Sequence, residues 1–209
     1  MLVKVLPVGP LQCNCYVVKC EKTGEAMVID PGASAPRILD ALKEAGAACV
    51  RVVLTHAHAD HIGAVREIRT RLSVPVYIHE ADAGMLTDAA RNLSLFSGMA
   101  VRPGAPDGLL KDEDAFSVGE LSFQVYHTPG HTPGGICIYG HGVVFTGDTL
   151  FAGSIGRTDL PGGSYTTLIR SIKDKLMRLP ADVVVYPGHG PESTVGDEKR
   201  YNPFVGGDD

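Results

Sequence analysis

Short runs of apolar and β-branched residues recur along the chain, and each is bounded by polar, glycine or proline positions. Runs of this length and composition are typical of buried β-strands. Five of them lie in the first part of the chain, at residues 2–8, 16–20, 26–29, 50–54 and 74–78. Four more lie in the second part, at 121–126, 135–139, 142–145 and 183–186.

Segments with helical periodicity separate these strands. In the first of them the apolar positions follow the i, i+3, i+4, i+7 spacing of a helix face: Ile38, Ala41, Leu42 and Ala45. Ser34 is placed to cap the start of this helix, and Gly46 its end. Further helices are predicted over residues 61–72, 81–92 and 164–179.

The order of these elements predicts the fold class. A run of strands comes first, and a mixture of strands and helices then follows and recurs, which favours two sheets with helices packed on their outer faces. A chain of 209 residues is long enough for one domain of ordinary size. We therefore expect a single α+β domain over residues 1–209.

Composition and charge narrow the class of protein further. Hydrophobic residues make up 44% and charged residues 21% of the chain, which favours a globular protein over a disordered one. The net charge of −5 argues against a nucleic acid or an anionic membrane surface as partner. No apolar run approaches the roughly 20 residues of a membrane-spanning helix. The N-terminus lacks the pattern of a secretory signal, so a cytoplasmic location and a small-molecule partner are expected.

The five cysteines form no C-x-x-C pair, and their odd number favours reduced thiols over a disulfide framework. Cys13 and Cys15 lie two positions apart on a predicted strand and share a face. A metal or redox pair is conceivable there, but packed thiols are the simpler interpretation. No function is assigned to them.

The densest cluster of chemically active side chains follows the strand at 50–54. Within Thr55–Gly63, His56 and His58 stand two apart, so their imidazoles can close on one metal ion. Asp60 and His61 follow at the start of a helix and can face a second ion. The alternative is that Asp60 caps the helix and the histidines are surface residues, but this density of ligand residues behind an apolar strand favours a metal site.

Similar residues follow other predicted strands in turn-rich segments. His131 lies in a Thr-Pro-Gly-His-Thr-Pro-Gly-Gly stretch, Asp148 in Thr-Gly-Asp-Thr, and His189 in Pro-Gly-His-Gly. Proline and glycine fix the backbone of such turns and present a side chain in a defined direction. Each residue alone fits an ordinary loop, but the recurrence at several strand ends indicates a shared site.

The motif H-x-H-x-D-H, followed by the later histidine, aspartate and histidine, resembles the metallo-β-lactamase superfamily. The resemblance implies a four-layer αββα sandwich of two mixed sheets. It also implies a first metal site with His56, His58, His131 and Asp148 as ligands, and a second with Asp60, His61, Asp148 and His189. Asp30, in the Val-Ile-Asp-Pro-Gly segment, matches an aspartate at the edge of the family's site, which implies that it supports a metal ligand from behind; an Asp-Pro-Gly turn alone would also explain it.

This ligand set implies a hydrolase with two divalent metal ions, zinc first, with iron or manganese as alternatives. A hydroxide bridging the two ions would attack an acyl carbonyl, with Asp60 and Asp148 as catalytic carboxylates. The chain has no G-x-S-x-G motif that would supply a serine nucleophile. Asp148 stands where one β-lactamase branch has cysteine, which weakens an antibiotic-hydrolysing interpretation.

The segments around Asp148 and Gly156–Asp159 resemble the glyoxalase II (hydroxyacylglutathione hydrolase) and persulfide dioxygenase branches. Arg157 matches a basic residue of the glyoxalase pattern and could hold a substrate carboxylate; a solvated surface charge is the alternative. Asp159 and Pro191 replace tyrosines of that pattern. Only 20 residues follow His189, so the helical glutathione-binding domain of glyoxalase II is not expected. The chain is most similar to a single-domain, glyoxalase II-like bacterial group.

Hydrolysis of a thioester such as S-lactoylglutathione is therefore the expected activity. A persulfide dioxygenase would instead use one Fe(II) at His56, His131 and Asp148. A non-catalytic metal-binding module is a third alternative. We expect structural or surface roles for His79, His127 and His141, and the oligomeric state stays open.

Overall fold

The computed structural model describes residues 1–207, and the last two positions of the predicted domain, 208 and 209, lie outside the described residues. Its first sheet has six strands in chain order: β1 (Leu2–Val8), β2 (Cys13–Lys19), β3 (Glu25–Ile29), β4 (Ala48–Val53), β5 (Val76–His79) and β6 (Gly108–Leu110). The first three strands pair antiparallel, and β3 to β6 pair parallel. The sheet is therefore mixed.

The second sheet is built from the later part of the chain. It contains β7 (Ala115–Val118), β8 (Leu121–His127), β9 (Ile136–Gly140), β10 (Val143–Gly147), β13 (Val184–Pro187) and β14 (Ser193–Thr194). A separate ribbon pairs β11 (Leu150–Phe151) with β12 (Ser154–Ile155). The spatial order is β14-β13-β10-β9-β8-β7, and only the β10–β13 pair is parallel, so this sheet is mixed as well.

Helices cover the outer face of each sheet. Those on the first sheet are α1 (Ala35–Glu44), α2 (Ala59–Ile62) and α3 (Val65–Leu72). Those on the second are α4 (Tyr165–Ser171), which continues into a π-helical turn over Ile172–Leu176, and α5 (Val195–Tyr201). The order helix, sheet, sheet, helix confirms the predicted αββα sandwich.

Three apolar cores separate these four layers. The middle core joins the two sheets, where Met27 and Ile29 of the first meet Phe123 and Phe145 of the second. All four side chains are almost completely buried. Full burial of one such side chain is worth about 1.5–3 kcal/mol. The sandwich therefore provides a rigid support for the loops at the ends of its strands.

The ends of α1 confirm one capping prediction and contradict the other. Gly46 has a φ of 56°, and the amides of Gly46 and Ala47 donate to Lys43 and Leu42, as in a Schellman cap. Ser34 makes no side-chain cap because its own backbone is left-handed, with φ 56° and ψ 48°. A capping serine needs an extended backbone at that position.

Two of the predicted helices differ in extent. The helix over 61–72 is two helices, because the Ala64 amide donates to the Pro31 carbonyl at 2.9 Å instead of continuing the first one. The prediction of a helix over 81–92 is wrong, because the structure has only a 3₁₀ turn there, at Ala83–Thr87. There the Asp88 carboxylate accepts from the Ala90 amide and the Asn92 side chain donates to the Met85 carbonyl, which favours turns.

The predicted helix over 164–179 begins as expected, with Ser164 capping the Thr167 amide. Its regular α-helical part ends at Ser171, and the π-helical turn carries it on to Leu176. Across residues 1–207, no helix combines the length and apolar character that crossing a bilayer requires.

Candidate metal centre

The seven predicted ligand residues converge at one edge of the sandwich. His56, His58, Asp60 and His61 follow β4, and the other three follow the β8, β10 and β13 strands: His131, Asp148 and His189. Six of these side chains form two groups whose ligand atoms lie within 4.8 Å of one another: His56, His58 and His131 in the first, and Asp60, His61 and His189 in the second. A third group of the same kind joins Asp30 to His56 and His61, and Asp148 belongs to none of the three.

The first group contains His56, His58 and His131, and all three are buried. His58 Nδ1 lies 2.9 Å from His131 Nε2. The His56 ring stands 4.8 Å from each of the other two rings, nearly perpendicular to both. Three imidazoles that face a common point in this way are a typical ligand set for a transition metal.

The second group contains Asp60, His61 and His189. Asp60 Oδ2 lies 3.1 Å from His189 Nε2 and 3.7 Å from His61 Nε2. The side chains of Asp60 and His189 are 25% and 27% exposed, whereas His61 is fully buried. The site therefore opens to solvent on the side of this second group.

Asp148 lies between the two groups. Its Oδ2 atom is 3.6 Å from His131 Nε2 and 3.7 Å from His189 Nε2, and its Oδ1 atom is 3.3 Å from His61 Nε2. Gly188 leaves room for this carboxylate, since a Cβ atom there would clash with Asp148 Oδ1. One carboxylate is thus positioned to serve both groups.

Contacts on the outer side of three histidines fix their ring orientation. His131 Nδ1 donates to the Arg157 carbonyl at 2.7 Å, and His189 Nδ1 donates to the Leu11 carbonyl at 3.1 Å. His61 Nδ1 donates to Asp30 Oδ2 at 2.9 Å. With the proton on Nδ1, we assign a free lone pair to each Nε2 atom that faces the site.

Asp30 supports histidines of both groups. Its carboxylate accepts from the Thr55 amide at 2.8 Å and from the Thr55 hydroxyl, which in turn lies 3.1 Å from His56 Nδ1. The same carboxylate binds His61. Asp30 holds a left-handed backbone with a φ of 48°, an uncommon conformation for a residue other than glycine. Asp30 therefore combines the predicted turn with the predicted supporting contact.

The electrostatics of the site favour neutral His56 and His58 and ionised carboxylates beside them. Burial and the neighbouring histidines lower the pKa of His58 to about 3 and that of His56 well below its usual value. Burial opposes ionisation of Asp60 and Asp148, but contacts with His61 and His189 still lower the pKa of both carboxyls. Neutral imidazoles and carboxylates are the forms that bind metal ions.

The site's buried polar atoms fit a pair of cations. Among the described residues, five buried side-chain atoms have no hydrogen-bond partner, and three of them belong to the predicted ligand set: His56 Nε2, His61 Nε2 and Asp148 Oδ1. Buried polar atoms are rarely left without a partner. A cation in each group would satisfy them, and the donor set of imidazole and carboxylate suits zinc, iron or manganese.

Arg157 reaches the site through its backbone rather than its side chain. The guanidinium makes two hydrogen bonds to the Asp159 carboxylate, at 2.8 and 2.7 Å, and both side chains are exposed. Asp159 thus fixes the guanidinium, whereas the Arg157 carbonyl accepts the hydrogen bond from His131. The role in substrate binding stays a prediction.

One neighbour of the site was missed from the sequence. Cys13 Sγ lies 3.5 Å from His61 Nδ1, and burial raises the pKa of this thiol to about 11, so it is uncharged at neutral pH. All five cysteines are free thiols. Spacing alone gave no signal for this contact, because Cys13 and His61 are 48 positions apart.

We expect chelation to lower the melting temperature of the metal-loaded protein. A ligand that binds only the folded state stabilises it by about 2.7 kcal/mol when present at 100 times its Kd. Differential scanning calorimetry with and without EDTA measures the shift. A His127→Ala variant, altered outside the two groups, should show the same shift. An unchanged melting temperature for metal-loaded and chelated wild type would contradict the metal assignment.

The chain is similar in sequence to a known family and to proteins described as metallo-hydrolases or hydroxyacylglutathione hydrolases. The family model described as the metallo-beta-lactamase superfamily matches residues 8–189. The chain is 40% identical over 205 residues to the probable metallo-hydrolase YqgX of Bacillus subtilis, covering 97% of this chain and 96% of that protein. It is 36% identical over 209 residues to the hydroxyacylglutathione hydrolase GloC of Haemophilus influenzae, covering 98% of each.

Three solved structures are similar over nearly the whole chain. The BLEG-1 B3 metallo-beta-lactamase has a TM-score of 0.94 and 42% identity, covering 99% of this chain and 100% of that one. TTHA1623 in a di-iron-bound form has a TM-score of 0.88 and 39% identity, covering 97% and 100%. ETHE1 from Myxococcus xanthus has a TM-score of 0.83 and 32% identity, covering 98% and 84%.

Proposed function

The chain belongs to the metallo-β-lactamase superfamily, and we propose that it is a two-metal hydrolase that cleaves a thioester of the hydroxyacylglutathione type. The observation that carries this proposal is the position of Asp148, whose two oxygens face His131, His61 and His189 at 3.3 to 3.7 Å. Family and relatives support the coarser class of metal-dependent hydrolase. The similarity to GloC supports the choice of a thioester.

Two divalent cations in these groups would supply a water activated near neutral pH and a Lewis acid for the acyl carbonyl. His56, His58 and His131 would hold the first, and Asp60, His61 and His189 the second, with Asp148 shared between them. We propose zinc, with iron or manganese as alternatives. The di-iron form of the similar protein TTHA1623 supports iron as one of them.

The protein's own groups keep this site polar, ordered and open on one side. The outer contacts of His131, His61 and His189 fix the directions of their Nε2 atoms before any substrate arrives. Asp60 stays ionised because His189 and His61 lower its pKa, and a quarter of its side chain faces solvent. A substrate carbonyl and the attacking water can therefore enter beside Asp60 and His189.

The proposed substrate is a small anionic thioester. A net charge of −5 gives no general attraction for an anion, so an anionic substrate needs a specific cationic contact. We assign this contact to the exposed guanidinium of Arg157, whose own carbonyl binds His131. Asp159, which holds this guanidinium, replaces a tyrosine of the glyoxalase II pattern. The substrate of this protein can therefore differ from that of glyoxalase II in two parts: the carboxylate that Arg157 binds and the thiol carrier.

Arg157→Ala is expected to raise KM for S-lactoylglutathione about tenfold with little change in metal content. The lost contact is a charge-assisted hydrogen bond to the substrate carboxylate, which competes with the Asp159 carboxylate for the guanidinium. The Arg157 carbonyl, which holds His131, is retained in the variant. Steady-state kinetics and metal analysis give both quantities.

The matched control is Asp159→Asn, which weakens the hold on the guanidinium but leaves it in place. We expect KM of this variant to equal or fall below that of the wild type. An Arg157→Ala enzyme with wild-type KM would remove Arg157 from the binding site.

A mononuclear iron dioxygenase is the second candidate. The observation in its favour is that His56, His131 and Asp148 form a two-histidine, one-carboxylate set within the same site. Under this alternative, Asp60 and His189 would have no second metal to hold.

Parallel assays separate the candidates. In the first assay, purified protein is incubated with S-lactoylglutathione and the release of thiol is measured. In the second, it is incubated with glutathione persulfide and oxygen uptake is measured. We expect thioester cleavage without oxygen uptake. Nitrocefin completes the substrate panel because a β-lactamase is among the similar structures. Oxygen uptake without thioester cleavage, or a higher kcat/KM for nitrocefin than for the thioester, would overturn the proposal.

A further inference from the structure

A buried carboxylate outside the ligand set connects the two loops that carry the first metal group. Asp82 is completely buried and lies between β5 and the 3₁₀ turn at Ala83–Thr87. Its Oδ2 atom accepts from the Thr132 hydroxyl at 2.7 Å, and its Oδ1 atom accepts from the Gly134 amide at 2.7 Å. Both donors lie on the loop that carries His131.

The same carboxylate is also tied to the strand that leads into the loop carrying His56 and His58. Asp82 follows β5, which pairs in parallel with β4, and β4 ends just before His56. Burial raises the pKa of the Asp82 carboxyl, and the backbone of Ala57, the residue between these two histidines, is among the groups that lower it. One buried side chain thus joins the His131 loop to the part of the first sheet that carries the other loop. The relative position of the two loops matters for metal binding, because His58 Nδ1 and His131 Nε2 must face one another across 2.9 Å.

The Asp82 side chain makes these long-range hydrogen bonds and does not cap the helical turn that follows it. An aspartate before a helical turn commonly caps the turn with its side chain, but Asp82 makes no such hydrogen bond. The loop also approaches it closely, since a Cβ atom at Gly134 would lie 2.7 Å from Asp82 Cγ. Any residue larger than glycine at 134 would push the loop away from the carboxylate.

We propose that Asp82 is a positioning residue that sets the distance between the His56–His58 loop and the His131 loop, and so tunes the affinity of the first metal group. The inference rests on the two-metal site of the proposed function. Among the described residues, the hydrogen bonds of the Asp82 side chain go to Thr132 and Gly134, not to a predicted metal ligand. Its effect on the first metal group passes through these two residues.

Metal titrations in two backgrounds test this role. His189→Ala disables the second group, so Co²⁺ binding followed by visible absorption reports the first group. His58→Ala disables the first group, so the same titration reports the second. Adding Asp82→Ala should weaken Co²⁺ binding about 10- to 100-fold in the His189→Ala background, as is typical for partners of metal ligands, and leave it unchanged in the His58→Ala background.

A merely structural role would move both titrations together with the melting temperature. Equal losses in the two backgrounds, or no loss in the His189→Ala background, would therefore overturn the proposal. Asp82→Asn keeps the shape of the side chain and should give a smaller loss in the same background; it replaces Asp82→Ala if that variant does not fold. Wild-type affinity for Asp82→Asn in that case would also overturn the proposal.

Asp112→Asn is the matched control, because Asp112 accepts from the His127 amide at the other side of the His131 loop and is partly exposed. It should change neither titration. The proposed function is tested separately by the wild type, which should bind two Co²⁺ ions. Failure of the wild type to bind them would reject the two-metal site, whereas normal wild-type binding with no effect of Asp82 would reject only the positioning role.

Discussion

Asp148→Ala is expected to reduce kcat/KM for the thioester at least about 1,000-fold, which corresponds to about 4 kcal/mol of transition-state stabilisation. The reason is geometric, since the Asp148 carboxylate faces His61, His131 and His189 at once. Its removal takes a ligand from both groups and leaves the ionised Asp60 as their remaining predicted carboxylate ligand. Metal analysis of the variant should show fewer than two ions per chain.

Two controls accompany this variant. Asp148→Asn keeps the volume of the side chain and loses its charge, so its metal content should lie between those of wild type and Asp148→Ala. Asp107→Ala removes a carboxylate that pairs with Arg69 outside the metal centre and should leave activity unchanged. An Asp148→Ala protein with two metals and wild-type turnover would contradict the shared role of this residue.

His131→Ala is expected to lose the metal of the first group and nearly all activity, while the second group keeps its ion. His131 contributes one of the three imidazoles of the first group, and its Nε2 atom lies 2.9 Å from His58 Nδ1. His56→Ala removes another imidazole of the first group and should have the same effect. Metal content and kcat, measured on the same preparations, test both variants.

The control for these variants is His127→Ala, four positions earlier on the same strand and loop. The His127 ring stacks on His79 at 3.9 Å and lies 2.9 Å from the Pro133 carbonyl through Nε2. We expect this variant to keep two metals and most of its activity. Retention of the first-group metal in His131→Ala would reject the assignment of His131 as a ligand.

The longer strands could be predicted because each has a run of apolar residues long enough to identify it, whichever strand it pairs with. β1 has the predicted bounds, and β8 extends the prediction by one residue. β2 begins at Cys13, three residues before the predicted start, because it pairs with β1 along its whole length. The strands β6, β7 and β14 were missed, since each has only two to four residues and forms by addition to a sheet edge.

The convergence of the seven predicted ligand residues could be predicted from sequence because metal chemistry restricts their types and because they follow recognisable strands. Their supporting contacts could be predicted only in part. The resemblance indicated Asp30, but spacing identified neither its partner His61, 31 positions away, nor the contact between the Arg157 carbonyl and His131, 26 positions apart. Asp82 lay inside a segment predicted as a helix, where an aspartate has an ordinary place on the solvent face. These contacts depend on tertiary packing rather than on local spacing.

Activity measured during stepwise metal reconstitution tests the two-metal hydrolase most directly. Apoprotein receives zinc in fractions of one equivalent, and S-lactoylglutathione cleavage is measured after each addition. The account predicts binding of two equivalents, with full thioester turnover only after the second. Full thioester turnover at one equivalent would contradict it. So would the absence of thioester cleavage at two equivalents, and oxygen uptake on glutathione persulfide by protein loaded with one iron would then identify the dioxygenase.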